Sequence, residues 1–194
     1  MSALLRAAVT VLLLGVAHAD FTERSTGLKF PEKRGSALLN RMGVRYKGPI
    51  KVYAVGEYAD GTYMLKMSYG VGAQKMTSAL ADALKPRCSD AKSIEAFEEC
   101  LLKGLPNGAP KGTKLVFSTG GSALKVAVND KAVGTISSKK LASAFANIYC
   151  DSKAVCNMAA VSEDGEVASS GFLTPRKGAL IGAAAGYALG KVLG

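Results

Sequence analysis

The spacing of apolar and polar residues changes period several times along the chain. Ile50–Tyr58 (IKVYAVGEY) and Thr62–Tyr69 (TYMLKMSY) are rich in strand formers, and the Asp60-Gly61 pair between them predicts a hairpin. In Ala73–Leu84 the period becomes helical: Met76, Leu80 and Leu84 recur every fourth residue, and Pro86 stops the run. Ser89–Lys103 predicts a second helix, with Ile94, Phe97 and Leu101 on one face and Gly104 and Pro106 at its end. After the linker GLPNGAPKG, Thr113–Ser118, Ser122–Asn129 and Ala132–Ser137 predict three strands, turned by Gly120-Gly121 and Asn129-Asp130. Ser138–Tyr149 predicts a third helix with Leu141, Phe145 and Ile148 as its buried stripe and Ser137 or Ser138 as its N-cap. Residues 20–49 are polar, carry Pro and Gly, and read as a lead-in with at most one strand. Strands, helices, strands, helix in that order predict an α+β fold, an antiparallel sheet covered by helices.

The two ends depart from this pattern. Met1–Arg6 carries one positive charge, Ala7–Ala17 is apolar, and Ala17-His18-Ala19 presents small residues at the two positions that a signal peptidase inspects. Residues 1–19 are therefore expected to be a signal peptide; the alternative is a membrane anchor or a buried helix. A domain over residues 20–175 follows. In the tail, residues 176–194, Gly178, Gly182, Gly186, Gly190 and Gly194 recur every fourth residue among apolar neighbours. On a helix they would form a smooth ridge of the kind that lets membrane helices pack closely or one chain associate with another. Arg176 and Lys177 precede it at headgroup position. The tail is short, Lys191 interrupts it, and the alternative is a flexible segment.

Composition narrows the chemistry. The only histidine is His18, which leaves with the leader. Histidine bases, Ser-His and Cys-His pairs and most zinc sites are thereby excluded, and no metal or other cofactor is expected. The formal net charge is +10 and drops by one with the loss of Arg6. The Lys and Arg residues are scattered without an aromatic stripe among them, which argues against nucleic acid as partner and for acidic ligands or anionic membrane surfaces. Cys88, Cys100, Cys150 and Cys156 are an even set in an exported chain. Their spacing suggests the local disulfides Cys88–Cys100 and Cys150–Cys156, with metal binding or free thiols as alternatives. The expected compartment is the secretory pathway (ER lumen, outside the cell or membrane-associated) or, in a source with complex plastids, a plastid.

Candidate chemistry concentrates in Gly43–Asp60, GVRYKGPIKVYAVGEYAD. Strand alternation puts Tyr53, Val55 and Glu57 on one face and Val52, Ala54 and Gly56 on the other. If the Tyr53 face lines a cavity, Arg45 and Tyr53 can meet at its mouth. A guanidinium fork and a phenol suit a carboxylate or an enolate. Without a cavity, the same two residues are a surface charge and a packing aromatic.

That segment resembles the signature strand of the chalcone isomerase-like family. So do LKFP (Leu28–Pro31) and ALKVAVNDKAVGTISSKKLASAFANIYCD further on, the resemblance spanning roughly residues 25–158. It implies an open-faced sandwich with a ligand cleft between an antiparallel sheet and a helical layer. The family contains plant enzymes that close a chalcone to a flavanone and a wider group that binds fatty acids through an Arg and a Tyr. The family's G-x-R arginine falls on Arg45, with Arg41 as the alternative register, and the tyrosine of its K-V-Y strand falls on Tyr53. The plant enzymes have Thr at the Tyr53 position, place a Tyr and an Asn on a mid-chain helix where Ala91–Lys103 has neither, and carry a catalytic Thr that aligns with Ile148.

The resemblance therefore implies a binding module: a fatty acid or similar apolar carboxylate held at Arg45 and Tyr53. Its walls would be drawn from Val55, Leu65, Met67, Leu141, Phe145 and Ile148, although Leu141 and Phe145 read better as core. The alternatives are an isomerase of the intramolecular-lyase type, with Arg45 and Tyr53 as its catalytic pair, and a membrane-associated structural protein held by its tail.

Overall fold

A computed structural model describes residues 19–162. The expected leader and glycine-ridged tail fall almost entirely outside the described residues. Within them the order is β1 (Asp20–Thr22), β2 (Lys29–Pro31), β3 (Lys33–Arg34), β4 (Ala37–Lys47), β5 (Ile50–Tyr58), β6 (Thr62–Met67), α1 (Ala73–Leu84), α2 (Ala91–Gly104), β7 (Lys114–Ser118), β8 (Leu124–Val128), β9 (Lys131–Ile136), α3 (Lys139–Cys150) and β10 (Met158–Ala160).

Turn chemistry sets the registers. Gly48, at φ 57°, and Pro49 close the two-residue turn between β4 and β5, with Lys47 opposite Ile50. Asn129 and Asp130 both take positive φ, 48° and 66°, the arrangement that a tight hairpin needs between β8 and β9. Asp90 caps α2 by accepting a hydrogen bond from Ser93 N, and Ser138 caps α3 through Leu141 N.

The strands assemble in the order β10-β4-β5-β6-β7-β8-β9, with β3 also on β4, and every pairing is antiparallel. The sheet curls, and the three helices cover one face. Because β9 and β10 sit at opposite edges, the chain between them must cross that face, and α3 makes the crossing. Its buried Leu141, Phe145 and Ile148 join Phe97 of α2 and Leu80 of α1 in the larger core. Phe145 lies against Phe117, ring centroids 4.4 Å apart, and against Phe97, Tyr63 and Tyr149, each at 6.1 Å.

A second apolar cluster fills the opposite face beneath the β1–β2 hairpin, where Phe21 pairs across from Phe30. Gly56 makes room for it: a Cβ there would stand 2.8 Å from the Phe30 ring. The Lys66 ammonium lies 5.2 Å from the centre of the same ring and donates to Lys29 O, tying the hairpin down.

The structure corrects the sequence reading in two places. Residues 20–49 hold four strands, among them the eleven-residue β4. Its sequence, ALLNRMGVRYK, hides the alternation because the pairing with β5 shifts register twice, so that Leu39 and Met42, three residues apart, fall in one apolar cluster. The proposed disulfides are not formed: all four cysteines are free thiols. Cys88 is turned to the Asp90 carbonyl and Cys100 packs where Gly134 of β9 has no side chain. Cys150 sits beside Arg41, and Cys156 beside Met158. Each pair is split between different neighbours.

Candidate functional site

One end of the helix-covered face is not filled. A cavity of about 430 Å³ opens between the β4–β5 turn, the start of α1 and the loop after α3. Its size falls in the usual range for small-molecule sites, which is several hundred Å³. The void follows from residue size. α1 turns Ala79 and Ala83 toward it, one turn apart, and Gly70 and Gly72 lead into the helix. Met76, Leu80 and Ile148 form its apolar interior.

A β-bulge shapes the facing wall. Arg45 pairs with Tyr53 and Tyr46 with Lys51, so Val52 is the extra residue on β5. Its carbonyl accepts from both Ser68 N and Tyr69 N, at 3.0 and 3.1 Å. The bulge turns Val52 into the cavity beside Tyr53. Simple alternation had assigned Val52 to the opposite face.

Arg45 and Tyr53 line this cavity together, as does Ile148. The Arg45 Nη1 donates to Val155 O at 2.6 Å, which fastens the loop after α3 to β4. The remaining N–H groups of the fork have no partner among the described residues. Tyr53 is buried, and its hydroxyl lies 3.3 Å from that of Tyr149. Burial pushes both phenols well above the ordinary value of 10.0, so each stays a neutral hydrogen-bonding group rather than a base. Burial likewise pushes the nearby Cys156 thiol up to about 12, against the pull of the Arg45 charge.

The other candidates lie elsewhere. Val55, Leu65, Met67 and Phe145 are fully buried in the core and do not line the cavity. Leu141 is core as well. Arg41 stands near the far end of β4–β5, where its Nε donates to Glu57 and its Nη2 approaches Cys150 Sγ at 3.0 Å. Glu57 also accepts from Tyr63 at 3.0 Å, so Arg41 is committed to a separate polar cluster. The sequence reading missed Lys47 and Lys75, which join Arg45 on the cavity lining, and Tyr149, which sits behind Tyr53. Lys47 was within reach, two residues along the strand from Arg45. Lys75 and Tyr149 carry no local signal, since distant elements bring them in. No described lining residue is acidic, and no described cluster of Cys, Asp or Glu is arranged to hold a metal.

No protein-family model matches the chain, and no curated protein sequence matches it. Among solved structures it resembles the fatty-acid binding protein AtFAP1 of Arabidopsis thaliana. The TM-score is 0.64 at 18% identity, over 71% of this chain and 92% of that one. The fold is chalcone isomerase-like. At that identity the likeness speaks for the fold alone, and the site rests on its own geometry.

Proposed function

We propose that the cavity binds a fatty acid or a similar apolar carboxylate, with the acid group at Arg45 and the acyl chain running inward past Met76, Leu80 and Ile148. One observation carries this reading: an apolar cavity of about 430 Å³ whose charged described lining residues, Arg45, Lys47 and Lys75, are all cationic. A guanidinium fork anchored through one N–H to Val155 O, with its other N–H groups left over at an apolar wall, is suited to a carboxylate, because charge-assisted hydrogen bonds strengthen where water is excluded. Tyr53 adds a neutral phenol on the same wall, oriented by Tyr149. That AtFAP1 is a fatty-acid binding protein of the same fold adds support. The isomerase alternative is less favoured. Ile148 lines the cavity where the resemblance leads one to expect a catalytic threonine, and the buried phenols are held in the protonated form.

The test pairs a fatty acid with the fatty alcohol of equal chain length. Titrated by competition against a fluorescent fatty acid, the acid is expected to bind more tightly. Arg45→Ala should weaken the acid about 10- to 100-fold, the worth of a hydrogen bond to a charged group, while leaving the alcohol nearly unchanged. Equal affinities for acid and alcohol in the unaltered protein would sink the carboxylate assignment. Turnover of a chalcone above the spontaneous rate, lost in Arg45→Ala, would move the isomerase reading ahead.

A further inference from the structure

Among the described residues three large apolar side chains remain exposed: Tyr46 at 45%, Ile50 at 40% and Tyr69 at 53%. They gather at one end of the molecule, around the tip of the β4–β5 hairpin. Ile50 and Tyr69 line the cavity mouth, while Tyr46, across from Lys51, lies on the other face of the hairpin tip, where its hydroxyl donates to Ser25 Oγ at 3.3 Å. Exposed apolar side chains gathered at one place mark an interaction surface more often than the same number scattered would. Their nature matters too. Two are tyrosines, whose rings have an apolar body and a polar tip and concentrate at membrane–water boundaries.

The charges between them have one sign. Lys47 and Lys75 are exposed on the lining of the opening, Lys51 is exposed on the other face of the hairpin tip, where it donates to Ser25 O, and none of the three forms an ion pair among the described residues. Lys47 pairs across from Ile50, and Lys75 stands in the first turn of α1 beside the Tyr69–Gly72 approach. Elsewhere the described lysines include ion-paired ones, such as Lys85 with Asp82 and Lys114 with Asp130. Tyrosine, isoleucine and lysine without a carboxylate partner, set on an apolar opening and the hairpin tip beside it, match a layer of anionic headgroups over hydrocarbon. Apolar insertion and electrostatic attraction then act at the same surface.

We infer that the cavity mouth and the adjoining tip of the β4–β5 hairpin dock together on an anionic lipid bilayer, with Tyr46, Ile50 and Tyr69 entering the headgroup layer while Lys47, Lys51 and Lys75 meet lipid phosphates. Docked this way, the opening faces the acyl region, and an apolar acid passes between bilayer and cavity without crossing water. The direct transfer rests on the fatty-acid reading of the cavity; the docking itself does not.

Flotation of the full chain with phosphatidylcholine vesicles, with and without phosphatidylserine, tests the docking. Association is expected with the phosphatidylserine vesicles, falling as salt is raised. Lys51→Glu and Tyr46→Ser lie outside the cavity lining and should leave fatty-acid affinity unchanged. Lys51→Glu is expected to lower vesicle affinity at least fivefold, the loss of one near-surface cation. Tyr46→Ser/Lys51→Glu should lower it further. Association equal on both vesicle types, or untouched by the double variant as a tail anchor would leave it, would overturn the inference. So would a dimer in native mass spectrometry that the double variant dissolves. If fatty-acid binding fails while the hairpin-tip variants still abolish flotation, the cavity reading falls and the docking stands. Fatty-acid binding with flotation independent of the hairpin tip gives the reverse.

Discussion

The two faces of the sheet are closed by different means, and only one closure leaves space. On the helix side, α2 and α3 meet the sheet through large rings: Phe97, Phe117 and Phe145 interlock and nothing is left open between them. Toward the β4–β5 turn the covering passes to α1, which presents Ala79 and Ala83, and the gap between helix and strand is not filled. On the other side a short hairpin lies flat on the sheet, and Gly56 gives up its own side chain so that Phe30 can reach the strand backbone. A helix stands off a sheet by the length of its side chains, so small residues on it create a cavity. A strand pair lies close enough that a small residue opposite it creates contact. Alanines on α1 and a glycine on β5 thus have opposite consequences for void volume, and the candidate site follows the alanines.

The sharpest way to break the comparison is to remove packing where it is densest. Phe145→Ala is expected to destabilise the fold by about 3–5 kcal/mol, read from the denaturant midpoint at unchanged slope. Phe30→Ala on the hairpin face should fall at the low end of the same range, because the hairpin can settle into part of the space. Equal losses would show the two faces to be equally rigid. Next in size is Gly56→Val. Its Cβ would stand 2.8 Å from Phe30 and 2.9 Å from Leu39. Overpacking of this kind costs about 1–3 kcal/mol. Hydrogen exchange should show faster exchange for the β1–β2 amides and little change in α3.

Ala83→Leu sharpens the contrast from the other side. A leucine there grows into existing space, so stability should stay within about 1 kcal/mol of the unaltered chain. Fatty-acid affinity should nonetheless fall at least tenfold by competition titration. Unchanged affinity would place the acyl chain outside this cavity. The smallest effect concerns the turn of the hairpin. Burial alone would raise the Glu23 carboxyl, yet hydrogen bonds from Thr26 and Ser25 hold it below the usual 4.5. A lowered native value means that the ionised form stabilises the fold above about pH 4.5 and that this contribution is lost as pH falls through the native value. Glu23→Gln should flatten the acid limb of the stability profile. A limb as steep as before would assign acid sensitivity to other carboxylates.

Much of this was legible in one dimension. The helices over Ala73–Leu84 and Ser138–Tyr149, the stripe Ile94, Phe97 and Leu101, and the turns at Asp60-Gly61 and Asn129-Asp130 all follow from periodicity and turn chemistry, which act over a few residues. The resemblance to chalcone isomerase-like proteins pointed to the fold, and Arg45 and Tyr53 do share a cavity wall. β4 was not legible, because register shifts within a strand break the alternation that announces it. Val55, Leu65 and Met67 alternate as a ligand wall would, yet they are filled core. Hydrophobicity marks a residue as buried and leaves open whether its neighbour is a side chain or a ligand.

The sequence by itself determined the kinds of element, their caps and turns, the cationic balance and the restriction of histidine to His18. Those properties depend on residue type and near neighbours. The tertiary structure alone decided the rest. A single bulge turned Val52 into the cavity, and antiparallel pairing carried Lys47 and Ile50 to the same opening as Lys75, which arrives on another element. The crossing of α3 set Tyr149 behind Tyr53 and split the cysteines among separate neighbours. Where a void remains depends on distances between elements far apart in the chain, and no local pattern encodes those distances.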